Sequence, residues 1–251
     1  MKGPLSYVGG KNRLASKIIA LIPEHKTYVE PFGGGAQVLF RKAPSSVEVL
    51  NDIDGDLVNF YRICQVHHEE LLRCMQFMLL SRKWYDLLKN TPPESLTDIQ
   101  RAARYFFLQK SSFGGMVARQ SFATHVTKRA SFTPKRTLKI ITAAYERLQT
   151  VQVECLPFEE VIKRYDRAET FFYLDPPYYG ISLYHFNFYN DDFQRLASCL
   201  AGIKGKFLLS INDHPEIRRL FSNYTIEAVE LHYSLQRHAG NRYSELFIRN
   251  Y

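Results

Sequence analysis

Four consecutive residues, Asp175, Pro176, Pro177 and Tyr178, are the strongest candidates for chemistry, and they follow the apolar run 171–174. That run predicts a buried strand, and open α/β sheets bind ligands at the carboxyl ends of their strands. The prolines lack a backbone N–H and hold φ at about −65°, so the segment leaves the sheet with carbonyls free to accept hydrogen bonds. A carboxylate, a carbonyl and a flat ring suit a planar group that bears an NH2, such as a nucleobase. A proline turn with a buried tyrosine is the alternative.

A second group of candidates surrounds the three glycines 33–35. Residues 27–32 predict a short strand, and the apolar residues 38–40 after the glycines predict a helix. This order begins a nucleotide-binding βα unit, because glycine permits a tight turn and a close approach of ligand to backbone. A second predicted strand, 47–50, ends near Asp52, which lies 19 residues beyond the first of these glycines. An acid at about that distance reaches ribose hydroxyls in this fold class. A turn residue and a helix cap are the alternatives for Asp52.

The amino-terminal segment offers a third group, with Tyr7 and a glycine pair before Lys11. A glycine pair at a helix entrance lets the backbone approach a ligand, and Lys11 supplies a cation. A plain turn is the alternative. The apolar residues that follow recur at helical spacing and predict a helix: Leu14, Ile18, Leu21 and Ile22.

The composition is that of an ordinary globular protein with a basic middle. The chain has 251 residues, 45% of them hydrophobic, and a formal net charge of +8. This length suffices for one sizeable core, or for one domain with a smaller insert. Residues 57–150 hold 15 of the 33 Lys and Arg but only 6 of the 25 Asp and Glu. Such a balance indicates a polyanionic partner, although basic charge also serves solubility.

The cysteines and the amino terminus indicate a reducing cytoplasm. Cys64, Cys74, Cys155 and Cys199 are far apart and form no CxxC pair, which argues against a disulfide framework and a zinc site. No apolar signal region follows Met1, and no apolar run is long enough to span a membrane. None of the eight histidines lies in a ligand pattern. We therefore expect a soluble intracellular protein that needs no metal.

The basic middle is expected to be helical up to residue 110 and then to change character. Apolar stripes predict helices across 55–110, with a break at Pro92 and Pro93. Residues 111–136 have little apolar content and predict a glycine-turned hairpin or loop that suits DNA phosphates and base edges. A solvated basic loop is the alternative. The candidate DNA-binding residues of this segment are Arg119, Lys128, Arg129, Lys135 and Arg136.

The rest of the chain alternates predicted strands and helices, which favours an α/β fold with a mostly parallel sheet. The last two strands follow each other directly, so an antiparallel hairpin should close the sheet. Tyr184, Phe186 and Phe188 alternate like a half-buried hairpin arm, and only Tyr178 of this aromatic loop is predicted to be functional. Strands are predicted at 151–155, 171–174, 207–211, 225–231 and 245–248, and helices at 138–148, 158–165, 191–203 and 215–222.

Four of these segments, taken in order, resemble the motifs of the DNA adenine methylase (Dam) family. Residues 7–11 resemble its amino-terminal cofactor motif, 30–35 its glycine loop, 51–52 its acidic ribose motif, and 175–178 its catalytic tetrad. Ala36 departs from the family, which usually has a further glycine there. A small side chain still allows close helix packing, so we expect reduced tolerance at this position rather than lost cofactor binding.

The resemblance implies an S-adenosylmethionine-dependent N6-adenine methyltransferase that acts on a flipped-out adenine in double-stranded DNA, with GATC as the site to which it points. It implies a Rossmann-like catalytic domain, formed by 1–56 and 137–251, and an inserted, mainly helical recognition domain, 57–136. Arg119 lies roughly where the family has an arginine that reads guanine. The expected state is a monomer in solution, in a bacterial or phage-infected cytoplasm with the nucleoid DNA.

The resemblance also implies roles for individual residues. Asp175 and the Pro176 carbonyl would each accept one hydrogen of the adenine amino group, and Tyr178 would stack on the adenine ring. These three are the predicted catalytic residues. The predicted cofactor-binding residues are Tyr7, Lys11, Phe32, Gly33, Gly34, Asp52, Phe158 and Asp175.

Several other readings stay open at this point. Asp175 favours adenine over two other planar amino groups, because cytosine-N4 enzymes resemble Ser-Pro-Pro-Tyr and glutamine enzymes Asn-Pro-Pro-Tyr. An RNA adenine remains an alternative substrate. A non-catalytic nucleic-acid-binding protein on the same fold is the alternative of a different class, and the intact Lys11, Asp52 and Asp175 argue against it.

Overall fold

A computed structural model of the chain describes residues 1–5, 7, 11–115, 120–124, 132–182, 184–231 and 243–251. No helix within these ranges is long and apolar enough to cross a membrane. Short 3-10 turns lie at Pro93–Ser95, after the expected proline break, and at Phe113–Gly115. The helices are α1 (Ala15–Leu21), α2 (Gly55–Val66), α3 (His68–Gln76), α4 (Arg82–Asn90), α5 (Asp98–Ser111), α6 (Pro134–Leu148), α7 (Phe158–Tyr165), α8 (Asn190–Ala201) and α9 (Pro215–Leu220).

The described strands form a single seven-stranded sheet in the order β3-β2-β1-β4-β5-β7-β6. They are β1 (Thr27–Glu30), β2 (Val47–Asn51), β3 (Val151–Glu154), β4 (Thr170–Leu174), β5 (Lys206–Asn212), β6 (Thr225–Leu231) and β7 (Tyr243–Arg249). Strands β1 to β5 pair in parallel, and β7 runs antiparallel between β5 and β6. The predicted fold class, a mostly parallel sheet with a terminal antiparallel pair, is confirmed.

Alternation along the strands divides the core into two layers, because successive side chains of a strand point to opposite faces. In β4, Phe171 and Tyr173 pack on one face of the sheet, and Phe172 and Leu174 pack on the other. All five residues of β4 are buried, as expected for a central strand covered on both sides. Strand β4 therefore holds the segment that follows it rigidly in the middle of the sheet.

Helices α2 to α6 lie on the face of Phe171 and Tyr173, and α7 to α9 on the other face. On the first face, α2 packs against α5 and α6. Helix α5 begins with a capping box in which the Thr97 hydroxyl accepts from the backbone of Gln100 and the Gln100 side chain accepts from Thr97. One continuous hydrophobic cluster joins these helices to the sheet. The boundaries 57 and 136 of a separate recognition domain stay a prediction.

One local prediction is wrong, and the hairpin arm that offered an alternative for the aromatic loop is not observed. The apolar residues 38–40 form a series of turns rather than a helix. A residue outside this segment fixes its backbone, because the buried side chain of Glu30 accepts a hydrogen bond from the backbone N–H of Leu39. Tyr184, Phe186 and Phe188 lie on bends and irregular chain rather than on a hairpin arm. The side chain of Asn187 bonds both the N–H and the C=O of Tyr184, which closes a local loop instead of a strand ladder.

The expected hairpin of the basic segment is present at its base. Ser112 and Phe122 form an antiparallel bridge, and two backbone hydrogen bonds flank it, from Phe113 to Ser121 and from Ala123 to Ser111. Lys135 and Arg136 lie in the first turn of α6, which the Thr133 side chain caps. Arg119, Lys128 and Arg129 lie outside the described residues, as do Gly9 and Gly10.

Candidate active site

The three predicted motifs meet where β1, β2 and β4 end. Strand β1 pairs in parallel with β2 on one side and with β4 on the other, so their carboxyl ends share one edge of the sheet. This is also where the strand order reverses, the usual ligand position in open α/β sheets. A cavity of about 420 Å³ opens there and is lined by the glycine loop 33–35, Asp52 and Asp175, among other residues. This volume is in the usual range for cofactor sites.

The glycine loop needs its glycines for two reasons. A Cβ on Gly33 would lie 2.8 Å from Leu50 Cδ1 and 2.9 Å from the Asn51 carbonyl oxygen, so only glycine lets the loop pack on β2. Gly34 has a φ of 46°, in the left-handed region that glycine adopts readily. Ala36 has the same φ of 46°, which gives a physical reason for a glycine at this position in the family.

Asp52 follows β2 and closes the glycine loop. Its Oδ2 accepts from the Gly34 N–H at 2.9 Å, and its Oδ1 accepts from the Asp54 N–H at 3.0 Å. Burial raises the pKa of Asp52 to about 6, although these backbone hydrogen bonds oppose the rise. The helix cap is Asp54, whose side chain accepts from the first turn of α2. Asp52 therefore shapes a turn and lines the cavity, and it does not cap the helix.

Three aromatic side chains form a cluster in the cavity wall. The rings of Phe32, Phe158 and Phe188 lie mutually close, with centroids 5.4 to 5.5 Å apart. Phe32 and Phe158 were expected here from the sequence, and Phe188 was not. Three apolar rings beside a carboxylate that can accept from a ribose suit the base of a nucleoside. Tyr7 lines the cavity near the glycine loop, and its hydroxyl lies 2.8 Å from that of Tyr105 on α5.

Lys11 and Asp175 form an ion pair in the cavity wall, in which the lysine is buried and the aspartate is half-buried. Lys11 Nζ lies 2.7 Å from Asp175 Oδ1, and the lysine side chain is 3% exposed. Burial opposes the lysine charge, but the carboxylates of Asp175 and Glu245 raise the pKa of Lys11 well above its ordinary value. Burial raises the pKa of Asp175 to about 6; Lys11 acts against this rise and Glu245 adds to it. Lys11 is thus a cation, and Asp175 is an ionised acceptor at neutral pH.

The tetrad continues past Asp175 as the prolines require. Pro176 is buried, and Pro177 lines the cavity beside Asp175. The Tyr178 hydroxyl accepts a hydrogen bond from Lys11 Nζ at 2.9 Å and donates one to Glu245 Oε2 at 2.6 Å. Burial raises the pKa of Tyr178 well above its usual range, so the hydroxyl stays protonated and can donate. These two bonds fix the position of the hydroxyl, so the side chain cannot swing to another χ1 rotamer without breaking both.

Sequence reasoning missed Glu245 and Tyr173. Glu245 lies on β7, is 2% exposed, and its Oε1 is 2.8 Å from Lys11 Nζ. A charged residue in the apolar strand 243–249 was the signal that could have found it, because unpaired charges are not buried. The Tyr173 hydroxyl is buried at the cavity wall and finds no hydrogen-bond partner among the described residues. No local pattern marks it, since tyrosine is common in strands.

The charge of the cavity wall is opposite to that of the chain. Among the described residues, six carboxyl side chains line it against Lys11 and Arg195, whereas the chain carries a net charge of +8. Arg195 is itself paired with Glu159 and Asp192, each at 2.5 Å. An anionic wall, three aromatic rings, a carboxylate placed to accept hydrogen bonds and a hydroxyl without a partner among the described residues together suit a nucleoside cofactor that carries positive charge.

A nucleotide-binding α/β sheet whose cavity also presents an Asp-Pro-Pro-Tyr carboxylate defines a methyltransferase that acts on an amino group. The match to a family model specifies it further. The chain belongs to the D12 class N6 adenine-specific DNA methyltransferase family, whose model matches residues 7–235. The predicted family resemblance and the predicted enzyme class are therefore confirmed.

Three relatives illustrate the range of this similarity. The Type II methyltransferase M.CviBI of Paramecium bursaria Chlorella virus NC1A is 26% identical over 263 residues, which span 100% of both chains. The Type II methyltransferase M1.LlaDCHI of Lactococcus lactis subsp. cremoris is 25% identical over 98% of this chain and 94% of its own. The DNA adenine methylase of Escherichia coli (strain K12) is 23% identical over 95% of this chain and 90% of its own.

Proposed function

We propose that this DNA adenine methyltransferase uses S-adenosylmethionine as its methyl donor and modifies the N6 atom of an adenine that is flipped out of duplex DNA. The observation that carries the proposal is the position of Asp175, which lines the same cavity as the glycine loop and Asp52. The donor site and an acceptor for an amino group are therefore contiguous. S-adenosylmethionine would supply a methyl group on a positively charged sulfur, which the anionic cavity wall favours.

The residues that would hold the donor divide the cavity between them. Phe32 and Phe158 would contact its adenine ring, together with Phe188. Asp52 would accept hydrogen bonds from its ribose hydroxyls. Tyr7 and the glycine loop 33–35 would contact its amino-acid end, where backbone approach is closest.

Asp175 would prepare the target nitrogen. The lone pair of an adenine amino group is delocalised into the ring, which makes the nitrogen a poor nucleophile. If Asp175 and the Pro176 carbonyl each accept one amino hydrogen, the lone pair localises and is directed at the methyl group. Such positioning and electrostatic preorganisation supply several kcal/mol in enzymes. Lys11 holds the Asp175 carboxylate in place, so little reorganisation is needed when the base enters.

Base flipping fits the same arrangement. The amino group of a paired adenine lies inside the duplex, and its extrusion costs a few kcal/mol. Tyr178 stacking on the adenine would recover roughly 1–3 kcal/mol. Because its hydroxyl is bound to Lys11 and Glu245, the ring would be held for stacking before the base arrives.

DNA would lie across the basic part of the chain. The hairpin whose base is Ser112 and Phe122 carries Arg119 in its sequence, and we propose that Arg119 reads a guanine. Lys135 and Arg136 begin α6 just after this segment and would contact phosphates. The Dam resemblance supports GATC as the target site.

One experiment tests base, position and site together. DNA from a host that lacks adenine methylation is incubated with the purified protein and S-adenosylmethionine, and is then read by single-molecule sequencing. We expect N6-methyladenine in one short sequence. Methylated cytosine, or transfer to RNA but not to duplex DNA, would contradict the proposal.

The matched variants are Asp175→Ala and Asp166→Ala. Asp166 also follows secondary structure and binds backbone N–H groups, those of Lys204 and Gly205, but it is not part of the cavity wall. Asp175→Ala should abolish methylation while DNA binding, measured by mobility shift, is retained. Asp166→Ala should remain active. Turnover by Asp175→Ala would exclude its catalytic role.

A further inference from the structure

We propose that Glu245 is a positioning residue for methyl transfer, which sets both the orientation of Tyr178 and the strength with which Lys11 holds Asp175. The inference rests on the proposed function and assigns a role to the antiparallel strand β7, which carries none of the predicted motifs. Glu245 itself would touch neither the donor nor the adenine. It would act through Lys11 and Tyr178.

Both oxygens of the Glu245 carboxylate are engaged. Oε1 accepts from Lys11 Nζ at 2.8 Å and from the Ser210 hydroxyl at 2.7 Å, and Oε2 accepts from the Tyr178 hydroxyl at 2.6 Å. Ser210 lies on β5, the neighbour of β7. A carboxylate bound on both sides has one orientation, so it fixes the position of the Tyr178 hydroxyl and with it the end of that side chain.

Charge gives Glu245 its second role. Two carboxylates, Asp175 and Glu245, share the ammonium of Lys11 at 2.7 and 2.8 Å. If Glu245 were neutral, Lys11 would attract Asp175 alone, and the Asp175 oxygens would be poorer acceptors for an amino group. Glu245 therefore keeps Asp175 available while Lys11 keeps it in place. The groups that face Asp175 from the surrounding elements are Lys11, Glu30, Tyr173, Tyr178 and Glu245.

Stability alone does not explain a glutamate here. Its neighbours on β7, Leu246 and Phe247, are buried and apolar. Replacing a buried ion pair by well-packed apolar groups is often neutral or stabilising. A buried acid that binds a catalytic-site lysine and a catalytic-site tyrosine at once is accounted for by its effect on those two residues.

The test compares Glu245→Gln with Glu48→Gln. Glu48 is a matched control, because it is equally buried on a strand and binds two cations, Lys42 and Arg147, at 2.5 Å each. Neither it nor its partners line the cavity. Each variant is assayed on duplex DNA for kcat, for KM of S-adenosylmethionine, for melting temperature and for the pH dependence of kcat.

We expect Glu245→Gln to lower kcat about tenfold or more with little change in the KM of the donor, the signature of lost transition-state positioning. The acid limb of its kcat–pH profile should move to lower pH, because Glu245 no longer raises the pKa of Asp175. Glu48→Gln should lower the melting temperature and leave the acid limb unchanged. The double variant Glu245→Gln with Tyr178→Phe should lose less kcat than the product of the two single losses. Both changes break the same hydrogen bond, the one between Glu245 and Tyr178.

Two results would overturn the inference. One is a Glu245→Gln enzyme with the wild-type kcat and acid limb. The other is a loss of kcat that only parallels the loss of stability, as in Glu48→Gln. If Glu245→Gln does not fold, Ser210→Ala removes one hydrogen bond to Oε1 and should still lower kcat several-fold; full activity would then count against the proposal. A wild-type protein that transfers no methyl group to DNA would contradict the proposed function instead.

Discussion

The Asp52 carboxylate accepts a hydrogen bond from the backbone N–H of Gly34 at 2.9 Å. The acid that follows β2 and the glycine loop that follows β1 are therefore one unit and not two separate motifs. A change at Asp52 should alter the loop as well as the ribose contact. The parallel pairing of β1 with β2 places the two segments side by side although they are about 20 residues apart in the sequence.

Asp52→Asn should weaken donor binding about tenfold, or about 1.4 kcal/mol. The amide has one acceptor oxygen where the carboxylate has two, so it cannot accept from Gly34, Asp54 and a ribose at the same time. The measurement is a titration with S-adenosylmethionine. Asp166→Asn is the control, since it also binds backbone N–H groups but lies outside the cavity wall. Unchanged donor affinity in Asp52→Asn would remove Asp52 from the donor site.

Activity should fall on the acid side with an apparent pKa near 6. Asp175 and Asp52 both have a pKa of about 6 because burial disfavours their charged forms, and each must be ionised for both of its oxygens to accept hydrogen bonds. Since both titrate in the free enzyme, kcat/KM should fall with a slope greater than one.

The fold should survive this titration. A carboxyl whose pKa is raised by folding stabilises the folded state at acid pH, and that contribution is lost as pH rises through the raised value. Protonation of Asp52 and Asp175 therefore does not unfold the protein. Circular dichroism at about pH 5.5 should show native structure while activity is low. An acid limb that coincides with unfolding would contradict this assignment.

Tyr173→Phe should change the melting temperature and the ligand affinity in opposite directions. The buried Tyr173 hydroxyl finds no partner among the described residues, and an unsatisfied buried hydroxyl costs about 1–3 kcal/mol. Without a ligand, the variant should therefore melt at a higher temperature than the wild type. If the hydroxyl binds the donor or the base, the variant should bind one of them several-fold more weakly. Equal affinities for both would mean that the hydroxyl serves neither.

The variants Arg119→Ala and Lys135→Ala should show two different defects in DNA binding. Loss of a base-reading arginine relaxes sequence preference at one position, whereas loss of a phosphate contact weakens binding to all sequences and lowers the salt dependence of binding. We expect the first result for Arg119 and the second for Lys135. Lys163, exposed on α7 at the other face of the sheet, is the control and should show neither. A uniform loss in Arg119→Ala would mark it as a phosphate contact.

The sequence predicts which motifs meet at the carboxyl ends of the strands, and the roles of their residues in binding and catalysis stay predictions. Gly33, Asp52 and Asp175 each follow a strand, and parallel strands bring their carboxyl ends to one edge. The helix predicted at 38–40 fails because Glu30, a residue of β1, fixes the backbone of Leu39. Such a long-range hydrogen bond leaves no periodic signal.

The sequence does not identify Glu245 as a site residue for a related reason. Its partners Lys11 and Tyr178 are 234 and 67 residues away in the chain, and only the topology of the sheet brings them together. Alternation at 184–188 does not identify a hairpin arm, because irregular chain can show the same spacing; here Tyr184 and Phe188 are half-buried and Phe186 is exposed.

The strand order has a consequence for how the active site assembles. In the described structure, β6 joins the sheet only through β7, which itself lies between β5 and β6. β6 is therefore held in the sheet only while β7 is paired with β5. The same pairing brings Glu245 to Lys11. A chain in which this edge of the sheet is open would keep Lys11 and Asp175 but would lack the second carboxylate of the cluster, so the active site is complete only when the edge of the sheet is.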